Sequence, residues 1–166
     1  MPFNKQVANL LLVDDEAVVR FIVSTLLATQ NFNVKAVATV SEALNLIHTE
    51  KFELLVSDLN IAAWHDGLEV IEAMHRKQPK CLTFILTATP DLESLLWAIR
   101  HKVDDYFMKI SDEEALGVKL MAHLAGAAPA KRQSLPEVLQ HRAILPDQQT
   151  RRARELHLVW PKRKRG

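Results

Sequence analysis

The chain is poor in the residues on which several classes of protein depend. Cys81 is the single cysteine among 166 residues, which excludes an intrachain disulfide and makes the reducing cytoplasm the expected compartment. It opens an apolar run and is expected to be a buried, inert thiol. Glycine occurs only at Gly67, Gly117, Gly126 and Gly166, too few and too scattered for a P-loop or a dinucleotide fingerprint. No apolar run approaches the ~20 residues that span a bilayer, so no membrane segment is expected. The start, MPFNKQVANLLLV, has neither a basic leader nor a small-residue cleavage site, and no signal peptide is expected. Seven histidines are dispersed without a pair in a metal-site context, which assigns them to core and surface roles.

What the chain does have is apolar material and an uneven charge. Hydrophobic residues make up 48% and charged residues 25%, enough for a sizeable core in a soluble domain. The net charge of +1 conceals two opposed parts. Residues 1–126 carry 11 Lys/Arg against 17 Asp/Glu, whereas residues 127–166 carry 10 against 3. An acidic globular part is followed by a basic tail, and the two are expected to do different things.

Up to residue 126 two kinds of segment alternate. Short continuous apolar runs stand at Leu10–Val13, Asn33–Val37, Phe52–Val56, Leu82–Leu86 and Tyr106–Met108, as in strands covered on both faces. Between them run amphipathic stretches from Glu16 to Thr29, Ser41 to His48, Leu68 to Arg76, Leu92 to His101 and Asp112 to Ala125. Ser41 is expected to cap the second of these, and Ser111 with the acidic residues after it to open the last. Five βα units predict an α/β fold: a doubly wound, five-stranded parallel sheet of order 2-1-3-4-5, flavodoxin-like, with helices on both faces.

In such a sheet the carboxyl ends of all strands open on one edge. Asp14 and Asp15 follow the first apolar run, Asp58 the third, Thr87 the fourth and Lys109 the fifth. Alone, each is an ordinary helix cap or turn residue. Together they place three carboxylates, a hydroxyl and an ammonium at one edge. The carboxylates repel one another unless a cation is bound. All-oxygen ligands suit a hard divalent ion, and Mg²⁺, which also accepts phosphate oxygens, is expected. With Lys109 to pair with a phosphate oxygen and Thr87 to donate a hydrogen bond, one carboxylate can act as nucleophile toward phosphorus. A flavin site needs a hydroxyl- and glycine-rich loop where this chain has Asp-Asp-Glu. An aspartyl-nucleophile phosphatase needs a second Asp where this chain has Asn60.

The ordered set Val13-Asp14-Asp15-Glu16, Ser57-Asp58-Leu59-Asn60, Asp66-Gly67-Leu68-Glu69-Val70-Ile71, Leu86-Thr87-Ala88 and Asp104-Asp105-Tyr106-Phe107-Met108-Lys109 resembles the receiver domain of two-component response regulators over residues 8–126. The resemblance implies a receiver domain in 1–126, not an enzyme in the usual sense. Asp58 would take a phosphoryl group from a histidine kinase or a histidine phosphotransfer protein. Asp15 would bind Mg²⁺ directly, Asp14 through water, and Asp58 and the main-chain carbonyl of Asn60 would complete the set. Lys109 would hold the phosphate, Thr87 would be the switch hydroxyl and Tyr106 the aromatic that turns behind it. Asn60 and Thr89 occupy places that adjust phosphate lifetime, and Ala88 allows close approach. Homodimerisation through the fourth helix, fifth strand and fifth helix is a further implication. Trp97 lies on that helix, in the core or at the interface.

Two departures from the family stand out. Ile110 follows Lys109 where a proline, often after a cis bond, is usual; a cis bond before Ile costs ~3–4 kcal/mol. The loop Leu59-Asn-Ile-Ala-Ala-Trp-His-Asp-Gly67 lacks the usual proline and is one residue longer, with Trp64 either as a packing lid or as a partner contact. Beyond Gly126 a linker, short helices at Leu135–Leu145 and Gln148–His157, and a basic Lys-Arg-Lys-Arg end are expected. That tail fits an interaction segment best. A DNA-binding transcriptional output is the alternative, although Pro161 would break a recognition helix. Lys and Arg there can also grip nucleic-acid phosphates without sequence choice.

Overall fold

The structure, a computed structural model, describes residues 7–89 and 91–126, the side chains of 110–115 excepted. The expected linker, short helices and basic end of 127–166 lie outside the described residues. Among the described residues ten elements alternate: β1 (Ala8–Val13), α1 (Ala17–Thr29), β2 (Phe32–Val37), α2 (Val40–Thr49), β3 (Leu54–Ser57), α3 (Gly67–Lys77), β4 (Leu82–Thr87), α4 (Leu92–Arg100), β5 (Asp105–Met108) and α5 (Lys109–Leu124). All strand pairs are parallel and the order is β2-β1-β3-β4-β5. The α/β, doubly wound architecture is the one expected from alternating apolar runs.

The period of two along each strand distributes the core. Leu11, Val13, Leu55 and Ile85 point to one face, where Ala43 and Ile47 of α2, Val70, Ile71 and Met74 of α3, and Ala98 of α4 cover them. Leu10, Leu12, Leu54, Val56, Phe84, Leu86 and Phe107 point to the other, beneath Val23 and Leu27 of α1 and Leu116 and Leu120 of α5. β1, β3 and most of β4 are therefore buried on both faces, which is why they read as unbroken apolar runs.

Strand and helix bounds shift by up to three residues from expectation, and both expected serine caps are corrected. α2 is capped by Thr39 and not by Ser41: the Thr39 hydroxyl accepts from the Glu42 N–H while the Glu42 carboxylate accepts from the Thr39 N–H. α5 begins at Lys109, three residues before Asp112, so Ser111 lies inside the helix and does not cap it. No cis peptide bond occurs in the described backbone, so Lys109 enters α5 through a trans bond to Ile110.

Candidate functional site

The sheet register sets the site. Val13 pairs with Ser57 and Ser57 with Ile85, so β1, β3 and β4 end nearly level and the residues after them share an edge. The backbone joins them further: the Asp58 N–H donates to Val13 O at 2.7 Å, and the Asp14 N–H donates to Val37 O at 3.1 Å. Asp14, Asp58, Thr87 and Lys109 are all buried there, whereas Asp15 and Glu16 are exposed at the rim.

Lys109 is the hub. Its Nζ lies 2.9 Å from Asp58 Oδ2, 2.8 Å from Glu16 Oε1 and 2.8 Å from Asp14 Oδ2. The first two contacts are hydrogen bonds. The third is an ion pair without hydrogen-bond angles, and the buried Asp14 Oδ2 has no hydrogen-bond partner. The other Asp14 oxygen accepts from the Glu16 N–H, and Asp58 Oδ1 accepts from the Leu59 N–H at 2.6 Å. Arg20 fixes the segment from beneath by donating from Nη1 to the main-chain oxygens of Asp14 and Asp15.

The electrostatics follow from this crowding. Burial raises the carboxyl pKa of both Asp14 and Asp58, and contact with Lys109 only partly offsets it. For Lys109, burial favours the neutral amine, but the carboxylates of Asp14, Glu16 and Asp58 around it overcome this and hold the ammonium charged. Among the described residues, carboxylate oxygens of Asp14, Asp15, Glu16 and Asp58 lie within 4.8 Å of one another. One ammonium cannot balance four carboxylates. An all-oxygen set with this excess of negative charge, and with a buried Asp14 oxygen that accepts no hydrogen bond, fits a hard divalent cation.

Of the expected site residues, Asp14, Asp15, Asp58 and Lys109 come together. Glu16, which was not among them, joins the cluster; the Asp-Asp-Glu run was its signal. Thr87 closes β4, and its hydroxyl accepts from the Thr89 N–H at 3.3 Å. Asn60 uses its side-chain oxygen to accept from the His65 N–H at 2.8 Å. Tyr106 stands on β5 with its hydroxyl 3.3 Å from Ser94 Oγ. The lengthened loop is held from within: one Asp66 carboxylate accepts from the N–H groups of Ile61, Ala62 and Ala63 at 2.7, 2.9 and 3.0 Å. Trp64 is 67% exposed and stacks on His65, so it does not pack as a lid. Trp97 is half-buried against the core and stacked on His101.

The chain matches the family described as response regulator receiver domain over residues 10–121. It is 28% identical over 138 residues to the transcriptional regulatory protein GlrR of Escherichia coli (strain K12), covering 83% of this chain and 31% of the relative. It therefore spans about a third of the length of that curated relative. It superposes on the beryllofluoride-activated receiver domain of DrrB, a Thermotoga maritima protein, with a TM-score of 0.65 and 27% identity, covering 72% of this chain and 99% of that one. A response regulator from Burkholderia pseudomallei, solved with a phosphorylated aspartic acid and a calcium ion, is similar with a TM-score of 0.61 and 25% identity, covering 74% and 75%.

Proposed function

This chain belongs to the response regulator receiver family of two-component systems, and on that premise we propose that Asp58 is its phosphoacceptor in a Mg²⁺-dependent reaction. The observation that carries the reading is the buried Lys109 ammonium held between Asp14, Glu16 and Asp58 at the sheet edge, with carboxylate charge in excess.

The Asp58 carboxylate attacks phosphorus of a phosphohistidine on a histidine kinase or phosphotransfer protein. An O–P bond forms as the N–P bond breaks, and the imidazole leaves with the electron pair. Asp14, Asp15, Asp58 and the main-chain carbonyl of Asn60 would hold Mg²⁺, which supplies charge neutralisation for the phosphoryl oxygens. Lys109 exchanges a carboxylate contact for a phosphoryl oxygen. The Thr87 hydroxyl turns from Thr89 toward the new phosphate, and Tyr106 moves with it, changing the α4–β5–α5 face. Leu92, Leu96 and Ile99 of α4 stand exposed on that side and suit a homodimer or a partner. We place the receiver in residues 1–126 and a basic linker and tail in 127–166.

Acetyl phosphate with Mg²⁺ is expected to add one phosphoryl group to the wild-type chain, read by intact mass, and none to Asp58→Asn. Equal labelling of the two proteins would refute the assignment. The relative named as a transcriptional regulator favours a second reading of the output, in which the basic 127–166 segment contacts DNA. Gel-shift titration at rising salt decides it, since phosphate contacts weaken steeply with salt. No shift at low salt removes that reading.

A further inference from the structure

The loop after Asp58 is joined to α4 by a contact that the phosphoryl chemistry does not need. His65 Nε2 lies 3.2 Å from Asp91 Oδ2, with side chains only 14% and 17% exposed. Asp91 is also the N-cap of α4: its Oδ1 accepts from the Ser94 N–H at 2.9 Å, and its Oδ2 accepts from Ser94 Oγ at 2.7 Å. Ser94 is fully buried, and its Oγ lies 3.3 Å from the Tyr106 hydroxyl.

Proton accounting gives this chain a direction. An ionised carboxylate only accepts, so the single Ser94 hydroxyl proton goes to Asp91. Ser94 Oγ must then accept from the Tyr106 O–H, and His65 must carry its proton on Nε2. Burial pushes the Tyr106 phenol up to about 12, which keeps that proton in place. At the other end, the Asp66 carboxylate and the Asn60–His65 bond make residues 60–66 a stiff unit rooted in the buried Leu59 and Ile61. Asn60 is thus tied directly to His65, which gives a displacement beside Asp58 a hydrogen-bonded path to that residue.

We propose that His65, Asp91 and Ser94 are positioning residues that form a relay from the loop after Asp58 to the Tyr106 hydroxyl, a second route to the α4–β5 face beside that through Thr87. The relay rests on the reading of Asp58 as phosphoacceptor. It holds Tyr106 against α4 while the cluster is metal-free, and it loosens when Mg²⁺ and a phosphoryl group reorganise the loop.

Tyr106 is the sole tyrosine of the chain, so ¹³C-tyrosine labelling of the full-length protein reports on it alone. The wild type, His65→Ala, His65→Gln and Ser94→Ala are compared by NMR, first metal-free and then with Mg²⁺ and beryllofluoride. Fluorine NMR of the bound fluoride follows occupancy separately. In the metal-free proteins His65→Ala is expected to move the Tyr106 ring signals at least half as far as Ser94→Ala does. His65→Gln, which can still donate to Asp91, is expected to stay with the wild type. The beryllofluoride-induced displacement should shrink at least twofold in His65→Ala while fluoride remains bound. Tyr106 signals of His65→Ala that superimpose on the wild type in both states would overturn the relay. So would a glutamine variant that moves them as far as alanine does. Absence of bound fluoride in the wild type would instead count against the Asp58 assignment, and the metal-free comparison would still decide the relay.

Discussion

Gly67 has no side chain because Asp58 leaves it no room. A Cβ at residue 67 would stand 1.9 Å from the Asp58 carbonyl oxygen, a backbone atom that cannot yield as a flexible side chain would. Gly67→Ala is therefore expected to cost about 1–3 kcal/mol through overpacking, read as a fall of several degrees in the melting temperature. It should also slow phosphoryl uptake, because the atoms it displaces carry the proposed nucleophile. Cys81 illustrates the opposite relation between residue and chemistry. Burial pushes its thiol up to about 12, so at neutral pH it is a protonated, inaccessible group. Iodoacetamide should alkylate it slowly in the native protein and rapidly in denaturant.

α2 owes its start to a reciprocal cap, and Thr39→Ala should cost about 1 kcal/mol by urea unfolding without touching the site. The Thr-x-x-Glu spacing of that cap was present in the sequence, but the nearer Ser41 competes with it, and only the backbone turn decides between them. β1, β3 and β4 were readable because strands of a parallel sheet covered on both faces need apolar side chains at nearly every position. The same logic exposed Asp14, Asp58 and Lys109: a polar residue directly after such a run has to stand at the sheet edge. Contacts between elements distant in sequence were not readable in this way. His65 meets Asp91 only because the β3–α3 loop folds over the α4 cap, and nothing in either local pattern encodes that meeting. The reach of Glu16 to Lys109 is of the same kind, spanning 93 residues.

At the scale of the molecule the two hydrophobic layers hold the sheet, and the polar cluster sits outside both. Carboxyl groups whose pKa is raised in the fold favour folding most below the ordinary carboxylate range, and that contribution is lost as pH rises through the raised values. Urea unfolding in EDTA should therefore show the Asp14 and Asp58 contribution falling with pH. Added Mg²⁺ should reverse the fall, by about 2.7 kcal/mol at a hundred times its dissociation constant. The apparent Mg²⁺ affinity should weaken on acidification, because protons compete for the same oxygens. The surplus of carboxylates around one Lys109 has a consequence for engineering. Capacity to signal and resistance to unfolding are opposed at this edge. Asp58→Asn, which is expected to silence the protein, should melt at a higher temperature than the wild type in EDTA. Selecting this chain for thermal robustness alone would then erode the activity for which its edge is built.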